Sequence, residues 1–512
     1  MQQPPFINSS LCDLSREAFH LTVAQECGFF QYAGYTCMLH FCVFRRRCCS
    51  MLLVSLLLLS LSLPSLAKSL ALLPTGYINL EYLLIGVFSL FLRRRLVFAL
   101  LLLESLADFA CKIAYTYNLS VKDLLLSLPS LNSLPTSRIL EISAVFALII
   151  AASAIVARAR PQPEDRLWVA GSLLFLIVFL TAAAFLAGQS PFRQVDVIYG
   201  NGRLVRTPTF SFVKFESLHH TAGVASHHTD TGKVNSASSH AIAFLDSSDA
   251  VESPNVVLIL VESWGNPLDA HLAHAIKAVY NDPRIAEKYD VTQGSVAFQG
   301  GTISAEAREL CQSTMGFHIL VAPPESLHGC LPALFHARNY QTFSIHGFVG
   351  SMFQRRTWYS KIGFDQSWFG PDLDRLKLPD CYGVFPGTCD AAIARWVGNS
   401  LLAEDTGKPK FIYWVTLNSH LPVAAHPDLA DDDVCFTLPS LRDSVPLCSW
   451  FRLVRNVHQA VELLALRPSA RPTVFVIVGD HAPPFADRQL RQIFSATDVP
   501  YVTLTPRIAI SR

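Results

Sequence analysis

Three apolar runs in the C-terminal half of the chain each end in side chains that could bind a metal ion. Glu262 follows the first run, His420 follows the second after a short loop, and Asp480 and His481 follow the third as a pair. Carboxylate oxygens and neutral imidazole nitrogens suit a cation of the zinc or manganese type. A helix cap or a hydrogen-bonded surface group would explain any one of these residues. Three separate runs that end in this way favour one shared cleft.

The runs themselves have the composition of buried strands. They cover Val256–Val261, Lys410–Leu417 and Val474–Val478, and they are rich in β-branched or aromatic residues. Helical patterns at Cys389–Leu402 and Trp450–Leu466 lie between them, and strands that alternate with helices predict a largely parallel sheet covered on both faces. The carboxyl ends of parallel strands meet at one edge of the sheet, where α/β proteins bind ligands.

A candidate nucleophile, Thr302, lies in the segment Q-G-G-T-I-S-A-E at residues 299–306. The two glycines allow the backbone to approach a ligand closely, and a helical pattern begins directly after the threonine. A hydroxyl at a helix N-terminus lies in a field that favours anions, and a bound metal would lower its pKa. An N-cap role would explain the same threonine, and this segment alone favours that interpretation.

The first 188 residues hold almost all of the apolar excess of the chain. Residues 1–50 show no pattern of a structured element and are interpreted as a poorly defined N-terminal extension. Five apolar stretches of roughly the length of a membrane span follow: Met51–Leu73, Ile78–Leu92, Leu96–Tyr115, Ile139–Ala157 and Leu167–Ala187. The first stretch could be a signal-peptide core, but the later spans favour an anchor. The sequence predicts an all-α transmembrane domain of about five helices at 51–188.

Arginine clusters set the orientation of this domain. They lie at 45–47, 93–95 and 158–166, all on one side of the predicted membrane, which is therefore cytoplasmic. An odd number of spans then places a linker at 189–254 and a domain at 255–512 outside the cytoplasm. The histidine-rich linker has the composition of a solvated connector. The net charge of +1 provides no field that would attract nucleic acid.

Six of the 13 cysteines lie in the exported region. They form three closely spaced couples: Cys311 and Cys330, Cys381 and Cys389, and Cys435 and Cys448. An even number in short-range couples predicts disulfides in an oxidising compartment, although sequence alone does not fix the connectivity.

In this order, the motifs resemble those of the membrane-anchored, sulfatase-like phosphotransferases. That family includes lipoteichoic acid synthase, the periplasmic-glucan phosphoglycerol transferases and the lipid A phosphoethanolamine transferases. The resemblance rests on Glu262 after a strand, G-G-T-x-S-x-E at 300–306, the block His346–Phe364, T-L-N-S-H at 416–420 and G-D-H at 479–481. It implies an α/β fold of the alkaline-phosphatase/sulfatase type, a mostly parallel sheet between helices, preceded by the five-helix transmembrane domain.

The resemblance also implies roles for individual residues. Four would hold one divalent metal ion, Zn or Mn: Glu262, Thr302, Asp480 and His481. Three would bind the substrate phosphate and head group: His346, Arg355 and His420. Thr302 would be the nucleophile, and His346 or His420 would protonate the leaving group. The implied reaction moves phosphoethanolamine or phosphoglycerol from a membrane phospholipid, through a phosphothreonine, to an envelope lipid or glycan acceptor. The implied location is the bacterial inner (plasma) membrane, multi-pass, with a periplasmic or extracellular catalytic domain.

Two positions depart from the lipoteichoic acid synthases. Phe348 stands where they have an acidic residue and Phe353 where they have a tryptophan, which weakens the case for a glycerol-phosphate head group. One alternative is a sulfuric-ester or phosphodiester hydrolase of the same fold. Sulfatases mature a Cys or Ser in C/S-x-P-x-R, and C-Q-S-T-M at 311–315 lacks both the proline and the arginine. The other alternative is a catalytically inactive, membrane-anchored binding ectodomain.

Overall fold

The structure is a computed structural model that describes residues 52, 56, 78–117, 119–158, 163–187, 205–210, 234–247, 253–381, 383–422 and 434–507. The predicted extension at 1–50, most of the first predicted span and most of the predicted linker lie outside these residues. Helices make up most of the described part before residue 247, and an α/β region follows from residue 253.

Helices overlap four of the five predicted spans. The helices before the α/β region are α1 (Leu80–Ser89), α2 (Arg94–Tyr117), α3 (Val121–Ser127), α4 (Thr136–Arg158), α5 (Arg166–Leu186) and α6 (Ser238–Ser247). Among the described residues, α4 and α5 are long and apolar enough to cross a membrane. Helix α1 is short, and α2 contains a buried ion pair between Asp108 and Lys112. The five-helix membrane domain therefore stays a prediction.

The segment between α2 and α4 packs against the α/β region. It contains α3 and a 3₁₀ helix, Leu128–Ser133, and we call residues 119–134 the roof. The backbone N–H of Phe353 donates to the Ser130 hydroxyl (2.9 Å), and the Ser133 and Ser351 hydroxyls are 2.8 Å apart. These bonds fix the roof over one edge of the sheet.

The described parts of the predicted linker are more ordered than their composition indicates. The strands β1 (Ile78–Asn79) and β2 (Val205–Arg206) pair in parallel. Helix α6 begins where the buried Glu309 carboxylate accepts the Ser238 N–H at 2.9 Å, and Ala237 beside it is fully buried. A composition-based prediction missed this because the partner that orders the segment is distant in sequence.

A seven-stranded sheet organises the α/β region, in the order β4-β11-β10-β3-β9-β5-β6. The further strands are β3 (Asn255–Val261), β4 (Tyr289–Ala297), β5 (Gln341–His346), β6 (Gln366–Phe369), β7 (Asp380–Cys381), β8 (Gly387–Thr388), β9 (Lys410–Val415), β10 (Thr473–Gly479) and β11 (Asp498–Pro506). Strands β10, β3, β9, β5 and β6 are parallel, and β11 and β4 complete one edge in antiparallel pairing. The predicted mostly parallel sheet is confirmed, and the carboxyl ends of its four central strands share one edge.

Helices cover both faces of the sheet. They are α7 (Ala270–Lys277), α8 (Pro283–Lys288), α9 (Thr302–Cys311), α10 (Leu331–Ala337), α11 (Arg355–Lys361), α12 (Gly370–Asp374), α13 (Asp390–Trp396), α14 (Val434–Thr437), α15 (Pro439–Arg442), α16 (Val445–Leu466) and α17 (Arg488–Arg491). Helices α7, α13 and α16 pack with Val257 and Ile259 on one face, and α9, α10 and α11 pack with Val256 and Leu258 on the other. Burial on both faces explains why the strands read as continuous apolar runs.

All three predicted disulfides are present: Cys311–Cys330, Cys381–Cys389 and Cys435–Cys448. The first joins the end of α9 to the residue before α10. The third joins α14 to α16. The first bond therefore restrains the C-terminus of α9, the helix that Thr302 begins.

Candidate active site

Two neighbouring strand ends bring the predicted metal ligands together. Strands β3 and β10 pair in register, with Val261 opposite Gly479, so that the residues that follow them lie side by side. His481 Nε2 is 3.6 Å from Glu262 Oε1 and 3.2 Å from Asp480 Oδ2. One ligand atom from each of these three residues lies within 4.8 Å of the others.

Thr302 is the first residue of α9, and its hydroxyl faces this cluster. Its Oγ1 lies 3.1 Å from Asp480 Oδ2 and 3.3 Å from Glu262 Oε2. Gly300, with a φ of +66°, makes the left-handed turn that delivers the threonine to the helix N-terminus. The structure thus brings all four predicted ligands together, with the hydroxyl in a field that favours anions.

Hydrogen bonds orient the candidate metal-ligand atoms of the cluster. Asp480 Oδ1 accepts the N–H groups of Ser263 (2.7 Å) and His481 (2.6 Å), which leaves Oδ2 to Thr302. The Ser263 hydroxyl donates to Glu262 Oε1 at 2.8 Å. His481 Nδ1 lies 2.9 Å from the Ala482 carbonyl, to which it donates, so Nε2 is the ring nitrogen that faces the two carboxylates and would bind a cation.

The charges of the cluster fit one divalent cation. Burial and the negative charge of Glu262 raise the pKa of Asp480 to about 8. Two buried carboxylates side by side are costly unless a positive charge compensates them. The set of two carboxylates, one imidazole nitrogen and one hydroxyl matches the ligands that zinc and manganese accept.

The predicted substrate-binding residues form a second wall of the same cleft. His346 ends β5, Arg355 begins α11, and His420 lies in the loop after β9. Nδ1 of each histidine lies within hydrogen-bond distance of a main-chain carbonyl, at 3.1 Å for His346 and 2.6 Å for His420. Burial and the Arg355 guanidinium lower the pKa of His346 to about 3, and burial lowers the pKa of His420. Both rings are neutral near pH 7, with Nε2 as an acceptor.

A cleft of about 270 Å³ lies between these two walls and the roof. Most of its lining is apolar. The roof contributes Leu119, Leu124, Leu131 and Leu134, and the α/β region contributes Phe317, Phe348, Met352, Phe353, Phe385 and Leu417. A substrate in this cleft would have its phosphate near polar groups and the remainder against hydrocarbon.

Sequence reasoning gave no role to several residues that support the site. Glu306 accepts from Arg355, and Ser263 holds Glu262. Thr302 and Glu306 are four residues apart on one helix and therefore share a face. This spacing would have indicated that Glu306 lies near the site. No pattern in the sequence of the roof indicated that it covers the cleft.

Cys311, the sequence position nearest to a sulfatase-type cysteine, lies at the far end of α9 from Thr302. Its sulfur is bonded to Cys330, so it is not available for conversion to formylglycine. This observation agrees with the missing proline and arginine in the surrounding sequence.

The family model described as Sulfatase matches residues 254–509. Three solved structures illustrate the similarity. The lipoteichoic acid synthase LtaP from Listeria monocytogenes is 14% identical, with a TM-score of 0.37 over 50% of this chain and 66% of that one. The phosphoglycerol transferase GacH from Streptococcus pyogenes, in complex with sn-glycerol-1-phosphate, is 14% identical, with a TM-score of 0.37 over 53% and 77%. The lipooligosaccharide phosphoethanolamine transferase A from Neisseria meningitidis is 13% identical, with a TM-score of 0.47 over 84% and 81%. Comparison with curated proteins gives no match.

Proposed function

Because this chain belongs to the sulfatase family, we propose that its cleft transfers a phosphate-ester head group from a membrane phospholipid to a hydroxyl of an envelope lipid or glycan. The observation that carries this proposal is the Thr302 hydroxyl, at a helix N-terminus and within 3.3 Å of two carboxylates. A threonine oxygen can form a phosphoester, whereas it cannot become the formylglycine that sulfate-ester hydrolysis uses. The residue type therefore favours phosphoryl transfer.

Glu262, Asp480, His481 and Thr302 would hold one divalent ion, Zn or Mn. Such an ion lowers the pKa of a hydroxyl and stabilises negative charge on phosphoryl oxygens. In the first step, Thr302 Oγ1 bonds to phosphorus as the bond from phosphorus to the diacylglycerol oxygen breaks. The hydroxyl proton passes to the Asp480 carboxylate that accepts its hydrogen bond, and the departing alkoxide takes a proton from water. The product is a phosphothreonine.

In the second step, an acceptor hydroxyl attacks the same phosphorus as the bond to Thr302 breaks, and Thr302 Oγ1 takes back the proton that Asp480 received. His420 is neutral, with Nε2 as an acceptor, and takes the acceptor proton. His346, with its pKa near 3, is too weak a base for this and orients the hydroxyl by accepting its hydrogen bond. The base role of His420 reverses the acid role that the sequence resemblance implied. Arg355 donates hydrogen bonds to the phosphoryl oxygens, where charge grows in the transition state.

The apolar lining supports a lipid as the donor. The roof also carries exposed leucines outside the cleft lining: Leu125 and Leu128 are 59% and 51% exposed. The roof connects α2 to α4, and α4 is one of the two helices in the described part of the chain that are long and apolar enough to cross a membrane. A donor that never leaves the bilayer could thus reach the cleft beneath the roof.

We further propose that residues 51–188 form a multi-pass domain in the bacterial inner (plasma) membrane and that 255–512 form the catalytic domain, joined by a linker at 189–254. Three disulfides in the catalytic part support a periplasmic or extracellular location.

The test is mass spectrometry of envelope lipids and glycans from cells that make the wild-type chain or Thr302→Ala. We expect one component to carry an added phosphoethanolamine or phosphoglycerol mass in wild-type cells alone, with matching release of diacylglycerol. Ser304→Ala removes a neighbouring hydroxyl of α9 and should leave the modification intact. Release of the free head-group phosphate with no modified acceptor would indicate a hydrolase. Absence of bound metal and of any turnover would indicate a binding ectodomain.

A further inference from the structure

We propose that Glu306 is a positioning residue, which holds the Arg355 guanidinium at a fixed place and orientation relative to Thr302. The inference rests on the proposed function, in which Arg355 binds the phosphoryl group. Glu306 is fully buried and Arg355 is 2% exposed. Nε and Nη2 of Arg355 both donate to Glu306 Oε1, at 2.8 and 2.6 Å. The Tyr359 hydroxyl donates to Oε2 at 2.7 Å, so both carboxylate oxygens are engaged.

The two partners belong to helices that approach the cleft with their N-termini. Thr302 begins α9 and Glu306 lies one turn further along it. Arg355 begins α11 and Tyr359 lies one turn further along that helix. Residues four apart on a helix share a face, so the buried contact of Glu306 with Arg355 and Tyr359 joins the two helices directly behind their first residues. The separation of nucleophile and guanidinium is therefore fixed by rigid elements.

The contact also selects which N–H groups of Arg355 remain for a ligand. A guanidinium has its N–H donors in a fixed fork. With Nε and Nη2 turned to Glu306, Nη1 is the end that can donate to an anion in the cleft. Without the carboxylate, the side chain could rotate and present its donors elsewhere, and its charge would lose its buried counterion.

The backbone before Arg355 gives a second reason for a dedicated anchor. Phe353 and Gln354 both have a φ of +52°, a left-handed conformation that costs energy in residues other than glycine. The Phe353 ring lies 5.2 Å from the guanidinium carbon. A strained turn keeps its conformation only when surrounding contacts hold it in place. The ion pair between Arg355 and Glu306 lies directly after this turn and provides such a contact.

Helix α9 offers a matched control in Glu309. This carboxylate is also fully buried and also pairs with an arginine, since Arg308 Nε donates to its Oε1 at 2.7 Å. Glu309 is directed to the segment at 234–247, away from the cleft. Loss of either carboxylate removes a buried charge from the same helix, but only Glu306 bonds to Arg355. Arg308 also donates to the main-chain carbonyls of Gly479 and Asp480, so the metal affinity of Glu309→Gln is titrated as well.

The experiment measures the Kd of inorganic phosphate for the metal-loaded full chain in detergent, by calorimetry. We expect Glu306→Gln and Arg355→Gln each to weaken phosphate binding by roughly 10- to 100-fold, the effect of losing a hydrogen bond to a charged group. The double variant should bind no more weakly than Arg355→Gln alone, because Glu306 acts through Arg355. Glu309→Gln should change the affinity by less than about twofold, and metal affinity, titrated separately, should be unchanged in Glu306→Gln.

Wild-type phosphate affinity in Glu306→Gln, or a double variant that shows the product of both single losses, would overturn the inference. If Glu306→Gln does not fold, the double variant still decides the question, because it lacks both buried charges and is compared with Arg355→Gln. Turnover of bis-p-nitrophenyl phosphate is measured in parallel. A wild-type chain that binds phosphate but does not turn over this ester would contradict the proposed transfer, while the affinity cycle would still report on Glu306.

Discussion

Replacement of Ser263 tests how the metal cluster is held together. Its hydroxyl donates to Glu262 Oε1 at 2.8 Å, and its N–H donates to Asp480 Oδ1 at 2.7 Å. Ser263→Ala removes only the first bond. A hydrogen bond to a charged group contributes about 1.5–3 kcal/mol, and loss of a group that orients a metal ligand lowers metal affinity by roughly 10- to 100-fold. We therefore expect Ser263→Ala to weaken zinc or manganese binding by that factor.

The backbone of Ser263 provides the control. Its φ of +55° is left-handed, a conformation that glycine adopts without the cost of about 1–2 kcal/mol that other residues incur. Ser263→Gly should thus lose as much metal affinity as Ser263→Ala, but it should unfold at a higher denaturant concentration than Ser263→Ala does. Affinities are measured by competition with a chelator of known Kd. If the glycine variant recovered wild-type metal affinity, strain at this position and not the hydroxyl bond would determine binding.

Three further predictions concern other parts of the molecule. Folding buries His458 against Tyr280 and lowers its pKa to about 3, so the unfolded chain binds more protons below its own pKa near 6.5. Stability should fall by up to about 1.4 kcal/mol per pH unit as the pH drops from about 6.5 towards 3. His458→Gln should remove this contribution from the pH dependence of the free energy of unfolding, measured with a chemical denaturant. If the dependence on pH were the same in the variant, His458 would not be its source. Joint replacement of Cys311 and Cys330 by serine should lower the free energy of unfolding by about 3 kcal/mol, measured by denaturant unfolding. Turnover at low temperature should stay intact. Loss of turnover in the folded double variant would indicate that one of these cysteines takes part in catalysis. Ser130→Ala removes the roof's bond to the Phe353 N–H and should raise KM for a lipid donor more than for a short-chain phosphodiester; equal changes would refute the roof as a lipid contact.

The grouping of the metal cluster was accessible from sequence because it follows from local rules. The apolar runs before Glu262 and Asp480 are strands buried on both faces, and parallel neighbours bring their following residues to one edge. Thr302 was added through the resemblance of G-G-T-x-S-x-E at 300–306 to a known family, because its own segment favoured an N-cap role. Each of these steps uses residues that are adjacent in sequence.

The supporting contacts were not accessible because they join segments that are far apart in sequence. The roof touches Phe353 through Ser130, more than two hundred residues earlier. Helix α6 lies in a stretch with the composition of a solvated linker, and it is ordered by Glu309 of α9. Contacts of this kind depend on how whole elements pack against one another, and hydrophobic periodicity does not predict them.

The division of charge in the cleft connects these contacts to the proposed reaction. Glu262 and Asp480 place negative charge on one wall, where a cation would be held, and Arg355 places positive charge on the other. A phosphoryl group between the walls would be attracted from both sides, by the cation and by the guanidinium. The apolar roof would limit the access of water to this space once a substrate is bound, and the attraction between charges is stronger where the surrounding dielectric is low. Under the proposed function, the same hydrocarbon surface that would accept a lipid would therefore also strengthen the electrostatic stabilisation of the transition state, so that the roof would contribute to the rate as well as to binding.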